Sequence, residues 1–158
     1  MKKYFMFTFL LLSLLLQTAC APSTQNVEGE KWIIFSEEQA SELGIADGFG
    51  QATEYWSPTE ADVRALENGT AAYLQENADY FYPQGIPVWE RLNEYNRQYA
   101  GLILNGKKFV YANYFCTSTG TDWKQDFVFV LDGGDCYFQF KYNADTGEFF
   151  DLQVNGEA

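Results

Sequence analysis

The sequence predicts an α+β fold in which N-terminal helices pack on a C-terminal antiparallel sheet. Helix-start signals and apolar residues at helical spacing occupy residues 57–77. From Gln98 onward the apolar residues alternate with a period of two, which is typical of half-buried strands. The 158-residue chain suits one domain with one core, and we place that domain at residues 31–158.

The domain is predicted to begin with a short strand and a short helix. Residues Trp32–Phe35 form a run with high β propensity. Ser36 and Gln39 then have the spacing of a capping box, which indicates a helix that ends near Gly44. The glycine-containing stretch Ala46–Thr53 is predicted to be a loop.

A longer helix is predicted from Pro58 to about Asn77. Ser57 has the position of its N-cap, Pro58 of its first residue and Glu60 of the acidic third residue. One helical face carries Val63, Leu66, Tyr73 and Leu74. The pair Asn68-Gly69 interrupts this pattern, so we expect a kink or two short helices.

The second half of the chain is predicted to be an antiparallel meander of about five strands. One or two further helical turns, within Val88–Tyr95, precede it. The predicted strands are Gln98–Leu104, Lys107–Phe115, Asp126–Leu131, Cys136–Tyr142 and Glu148–Val154. Asn105-Gly106 joins the first two and favours a type I′ turn.

Both faces of the predicted sheet are apolar. Phe127 and Phe129 alternate with Val128, and Phe138 alternates with Tyr137. The long helix is expected to cover one face. The other face is covered by the N-terminal segment or left open as a binding surface.

The first residues have the pattern of an export signal. A basic start, Met1-Lys2-Lys3, is followed by the apolar run Tyr4–Leu16 and by Gln17-Thr18-Ala19-Cys20. This end resembles the lipobox of bacterial lipoproteins, which implies a signal peptide at residues 1–19 and a lipid on Cys20. The alternative is an ordinary cleaved signal peptide and a secreted protein.

Ala21 follows the cysteine, and the resemblance to Gram-negative lipoproteins then implies an outer-membrane protein that faces the periplasm. Residues 20–30 are polar and show no periodic spacing of apolar residues, so we expect a lipidated tether. The expected membrane contact is through this lipid anchor alone.

Composition excludes several function classes. The chain contains no histidine, so imidazole bases, Cys-His or Ser-His nucleophile pairs and imidazole metal sites are absent. The formal net charge of −12 argues against a nucleic-acid partner. Asp132 and Asp135 flank a predicted solvated turn, which does not provide the cleft that an acid–base pair needs. We therefore assign no catalytic residue, metal ligand or cofactor.

Cys116 and Cys136 are a candidate disulfide, because two cysteines in an oxidising compartment are usually paired. In a plain meander, however, they would lie on the order of 25 Å apart, at opposite ends of the sheet. A bridge requires Cα atoms within about 7 Å of each other. The two rules conflict, and the sequence leaves the pairing open.

Aromatic residues in predicted loops and helix ends are the candidate ligand-binding residues. They are Trp56, Tyr80, Tyr82 and Trp89. Amphipathic rings on loops suit recognition, although the same residues are also common core and loop packing.

Four segments resemble a group of small exported bacterial lipoproteins with no assigned activity. They are Trp56–Asp62, Tyr95–Gly101, Asp132–Phe138 and Asp151–Gly156. A helix followed by an antiparallel meander also resembles cystatin-like and NTF2-like domains, which implies a cystatin-like roll. The cystatin inhibitory motif Gln-x-Val-x-Gly has no match here, since Gln153-Val154-Asn155-Gly156 is one residue short.

These observations favour a cell-envelope lipoprotein that is not an enzyme and that binds an envelope protein or a small ligand. The alternative is an NTF2-like enzyme that uses carboxylates in a pocket between helix and sheet. A cystatin-like protease inhibitor is the second alternative. A pocket that contains a buried Asp or Glu would favour the enzyme.

Overall fold

Seven strands form one mixed sheet in the computed structural model, which describes residues 27–45, 54–83, 85–118, 120 and 122–156. The strands are β1 (Val27–Glu28), β2 (Trp32–Ile34), β3 (Glu54–Trp56), β4 (Asn96–Leu104), β5 (Lys107–Phe115), β6 (Tyr137–Asn143) and β7 (Phe149–Val154). The helices are α1 (Glu37–Glu42) and α2 (Glu60–Glu76). The α+β class is therefore confirmed. The predicted signal peptide, Cys20 and the predicted loop Ala46–Thr53 lie outside the described residues.

The strand order is β1-β2-β4-β5-β6-β7, and β3 also pairs with β4. The prediction of a purely antiparallel sheet is wrong, because β2 runs parallel to β4, with Trp32 opposite Arg97. Parallel neighbours need a long crossover, and here α1, β3 and α2 lie between them in the chain. β3 pairs antiparallel with the other half of β4, with Trp56 opposite Gly101.

β1 lies within the stretch that was predicted to be a tether. It pairs with β2, and the Gly29 backbone N–H donates to the Trp32 carbonyl at 2.8 Å to close the turn between them. A Cβ at Gly29 would lie 2.3 Å from Nε1 of Trp32, so the close contact requires glycine. The folded part of the chain thus begins before Lys31.

Both helices begin with side-chain caps. The predicted cap of α1 is confirmed, since the Ser36 hydroxyl accepts from the Gln39 N–H at 3.2 Å. The predicted N-cap of α2, Ser57, is wrong. Its hydroxyl accepts from the Glu37 N–H at 2.9 Å instead. The capping box of α2 forms two residues later, between Thr59 and Asp62.

α2 is one continuous helix, so the expected alternative of two short helices is wrong. The glycine is needed for packing. A Cβ at Gly69 would lie 2.7 Å from the ring of Phe149 in β7. That ring is held by aromatic neighbours, with a centroid distance of 5.0 Å to Tyr73 and 4.9 Å to Tyr142. Gly69 therefore lets α2 approach the sheet closely.

β4 and β5 form the predicted hairpin. Asn105 and Gly106 both have positive φ, 52° and 73°, as a type I′ turn requires. The helical turns expected before β4 are two short 3₁₀ segments, Val88–Glu90 and Leu92–Glu94.

The predicted strand Asp126–Leu131 is wrong, because residues 127–130 belong to no strand. Residues 127–131, which we call the crossing segment, cross one face of the sheet, where buried side-chain amides bind the backbone of the chain. The Gln98 side chain accepts from the Val128 N–H at 2.9 Å and donates to the Asp126 carbonyl at 2.8 Å. The Asn113 side chain donates to the Val128 carbonyl at 2.8 Å. These amides take the place of a neighbouring strand.

Each face of the sheet carries its own core. α2 covers the first face, and the largest buried core there includes Leu66, Leu74, Tyr99, Tyr114, Phe138 and Phe140. The second face packs against α1 and against the crossing segment, where Ala40 and Val128 are buried. The N-terminal segment therefore covers part of the second face, and the crossing segment covers a further part.

Gly69→Ala tests the close approach of α2. Alanine would ordinarily stabilise a helix interior by about 1 kcal/mol relative to glycine. Here the overlap with Phe149 reverses the sign, and we expect a loss of about 1–3 kcal/mol in the free energy of unfolding, measured by chemical denaturation. The control Asn68→Ala, at an exposed position of the same helix, should be neutral or stabilising. A stabilised Gly69→Ala protein would contradict this account.

Candidate functional site

A cleft of about 270 Å³ lies between α2 and the part of the sheet where β2 pairs with β4. Glu60, Val63, Arg64 and Glu67 line it from α2, at the spacing of one helical face. Trp32 and Ile34 line it from β2, and Arg97 and Tyr99 from β4. The parallel pairing of β2 with β4 thus forms one wall of the cleft.

Glu67 is the centre of a polar cluster inside this cleft. Its Oε1 accepts hydrogen bonds from the hydroxyls of Tyr99 and Tyr114. Its Oε2 accepts from Nη1 of Arg97 at 2.8 Å. The Glu67 and Arg97 side chains are 27% and 16% exposed, so water screens this ion pair less than a surface pair. Three donors occupy most of the acceptor positions of the carboxylate.

The two tyrosines are held in their protonated form. Burial is the largest cause that raises the pKa of Tyr99 well above its ordinary value, and the nearby charge of Glu67 adds to it. Burial and the charge of Glu67 likewise raise the pKa of Tyr114. Both hydroxyls therefore stay available as donors to Glu67 across the physiological pH range.

A second cavity, of about 490 Å³, lies between the crossing segment and β7; we call it the groove. Tyr111 and Asn113 of β5 form part of its lining, so it lies on the second face of the sheet. Phe129 and Leu131 line it and are 66% and 78% exposed. These two exposed side chains give the groove an apolar rim.

The four predicted aromatic site residues do not form one site. Tyr82 and Trp89 line a third cavity, of about 440 Å³, in the loops that follow α2. Tyr80 lies at the groove. Trp56 is at the far end of β4, where its Nε1 donates to the Phe109 carbonyl at 3.1 Å.

Cys116 and Cys136 are neighbours, and the expected separation of the two residues is wrong. The Cys116 N–H donates to the Cys136 carbonyl at 3.0 Å. Cys116 directly follows β5 and Cys136 directly precedes β6, because the described residues between them form no strand of the sheet. The thiols are not bonded to each other in the structure. Burial and the adjacent Cys136 thiol raise the pKa of Cys116 to about 12.

Sequence reasoning did not find the cluster around Glu67. One signal was present: Glu67 lies on the same helical face as Val63 and Thr70, and a charged residue on an apolar face needs a partner. Its partners could not be identified, because Arg97 and Tyr114 are distant in the sequence.

The chain matches no known protein family, no curated protein and no solved structure. Within the described residues, no helix has both the length and the apolar character needed to cross a membrane. In the same part of the chain, no three His, Cys, Asp or Glu side chains gather in an arrangement that could hold a metal ion.

The raised pKa values of Tyr99 and Tyr114 predict a loss of stability at alkaline pH. The folded protein keeps protons that the unfolded chain releases above about pH 10, the ordinary range of tyrosine. The free energy of unfolding should therefore be fully retained below that pH and fall as the pH rises further, as measured by denaturation at a series of pH values.

Tyr114→Phe should be less stable near neutral pH by about 1–2 kcal/mol, because it loses the hydrogen bond to Glu67. Its alkaline decline should also be shallower than that of the unmodified protein, since one buried hydroxyl no longer titrates. If the free energy of unfolding fell equally steeply with alkaline pH in the two proteins, the result would contradict a raised pKa for Tyr114.

Proposed function

We propose that the protein is a lipid-anchored component of the cell envelope, and that its folded domain binds a partner and catalyses no reaction. Cys20 is the proposed lipid attachment site, and the outer membrane, on its periplasmic side, is the proposed location. The observation that carries the binding role is the groove with Phe129 and Leu131 exposed along it. Clustered, exposed apolar side chains are typical of surfaces that bind other proteins.

The proposed occupant of the groove is an apolar segment of an envelope protein with basic residues beside it. The apolar part would cover the rings and aliphatic groups along the crossing segment. The basic part suits the charge of the chain, which carries 22 acidic and 10 basic residues. Asp132, next to Leu131, is exposed and gives a local negative charge at this end of the groove.

The crossing segment is suited to present this surface, because its backbone is anchored at several points. Gln98 and Asn113 hold Val128, and the Asn155 side chain donates to the Val130 carbonyl at 2.6 Å and to the Asp132 carbonyl at 3.1 Å. Phe129 and Leu131 therefore project from a fixed backbone. A preorganised surface loses less conformational entropy when a partner binds.

The alternative of an NTF2-like enzyme draws support from one observation, the carboxylate of Glu67 in a cleft between helix and sheet. Three hydrogen bonds from the protein already occupy most of the acceptor positions of this carboxylate, which leaves little of it free to contact a substrate. We therefore favour the binding role. The long helix packed on neighbouring antiparallel strands supports the proposed relation to cystatin-like and NTF2-like folds.

A disulfide between Cys116 and Cys136 is part of the proposal. Paired residues of adjacent antiparallel strands have Cα atoms about 4.5–5.5 Å apart, which a disulfide can span. The hydrogen bond between the two backbones supports such a distance, because Cys116 and Cys136 come directly after the paired residues Phe115 and Tyr137 at the ends of β5 and β6. In an oxidising envelope the bond would close the loop that carries the crossing segment.

The groove is tested with the double variant Phe129→Ser, Leu131→Ser in the full-length protein. We expect the quantity of a co-extracted partner to fall about tenfold, because two buried contacts at an interface centre are lost. The matched control is Ile86→Ser, an apolar side chain that is 61% exposed and lies at another cavity. Quantitative mass spectrometry after detergent extraction is the measurement. If the unmodified protein, the double variant and the control recovered equal amounts of the same partner, the proposal that the groove binds this partner would be refuted.

Lipidation and the disulfide are tested together by intact mass of the protein extracted from its native envelope. We expect a chain that begins at Cys20 and carries acyl and glyceryl groups. We also expect that Cys116 and Cys136 react with an alkylating reagent only after reduction. An unlipidated chain would indicate a secreted protein, and two thiols that react without reduction would exclude the disulfide.

A further inference from the structure

The cleft at Glu67 and Arg97 has more hydrogen-bond donors than acceptors. Arg97 donates to Glu67 through Nη1, and its Nε is buried without an acceptor among the described residues. Buried guanidinium N–H groups normally have partners, because leaving them unpaired is costly. Glu67 has little capacity left to accept, since three groups already occupy most of its acceptor positions. The guanidinium of Arg97 also lines the cleft, and its side chain is 16% exposed, so its accessible N–H groups can donate to an acceptor from outside the chain.

A second arginine stands at the rim of the same cleft. Arg64 pairs with Glu60 at 3.1 Å, one helical turn away, and both side chains are largely exposed. Exposed pairs of this kind are weak, so Arg64 can turn toward a bound anion at little cost. The cleft therefore offers two guanidinium groups at different depths.

The remaining walls of the cleft are apolar, and the cavity is small. Trp32 and Ile34 of β2 and Val63 of α2 line the cavity, whose volume of about 270 Å³ is just below the range usual for drug-sized ligands. The charges in the lining, two arginines and two glutamates, balance. The side chains that line the cleft therefore have no net charge, whereas the whole chain has a formal net charge of −12.

From this combination we propose that the cleft binds a small organic carboxylate with an apolar body. A carboxylate matches the planar fork of a guanidinium and can accept two parallel hydrogen bonds from it. The apolar body would lie against Trp32, Ile34 and Val63. The site is on the face of the sheet that α2 covers, so it is separate from the groove and does not rest on the proposed function.

The test compares three probes with the same apolar body: phenylacetate, phenylacetamide and phenethylammonium. Binding to the full-length protein is measured by isothermal titration calorimetry. We expect phenylacetate to bind at least about tenfold more tightly than the amide, and the cation to bind most weakly. Absence of phenylacetate binding, or equal affinity for the acid and the amide, would overturn the proposal.

Variants assign the binding to the cleft. Arg97→Lys keeps a positive charge beside Glu67 but loses the guanidinium fork, and should weaken phenylacetate binding about tenfold. Arg64→Gln, at an exposed position that folding does not depend on, should weaken it about threefold. The control is Arg91→Gln, which removes an arginine outside the cleft. The Nε of Arg91 is likewise buried without an acceptor among the described residues, and Arg91 pairs with Glu94 at 3.7 Å. Unchanged binding in Arg64→Gln together with Arg97→Lys, or equal weakening in Arg91→Gln, would overturn the assignment.

Discussion

The hydrogen bonds of two buried amides, Gln98 and Asn113, determine how the second half of the chain is arranged. These side chains are 1% and 2% exposed and lie on adjacent strands, where Asn113 donates to Gln98 at 3.1 Å. Together they bind the backbone of Val128, and Gln98 also holds the Trp123 and Asp126 carbonyls. Backbone polar groups that lie on an apolar face must be paired, and these amides supply the partners that an adjacent strand would otherwise supply.

Three features depend on that arrangement. The crossing segment covers part of the second face with Val128 and leaves Phe129 exposed, which creates one wall of the groove. β6 is free to pair directly with β5, because no strand is inserted between them. As a consequence Cys116 and Cys136 become neighbours. The plain meander expected from the sequence would place the two cysteines at opposite ends of the sheet. That meander does not form, because Gln98 and Asn113 bind the backbone of the segment that would have been the intervening strand.

The first face shows a different balance of forces. Aromatic and aliphatic residues bury most of the contact between α2 and the sheet, and Gly69 allows the close approach. The cluster around Glu67 is placed at the open edge of this contact, where Arg97 and two tyrosines compensate its charge. Burying such a group has a large desolvation cost, so its position beside a cleft, and not in the centre of the core, is physically reasonable. The cleft and the groove lie on opposite faces of one sheet.

The sequence by itself determined the features that depend on residues close together in the chain. The α+β class, the Ser36 cap, the apolar face of α2 and the Asn105-Gly106 turn follow from local spacing and backbone preference. Even here the cap of α2 shifted by two residues, because Glu37 of another helix binds the Ser57 hydroxyl.

Tertiary structure decided everything that depends on residues far apart in the chain. The parallel pairing of β2 with β4, the site of Glu67 and the neighbouring cysteines are of this kind. An alternating apolar segment such as residues 127–131 satisfies the pattern of a strand equally well whether a strand or two side-chain amides pair with its backbone. Only the folded chain brings Gln98 and Asn113 to that backbone, so the position of the segment, and with it the groove, could not be predicted from local pattern.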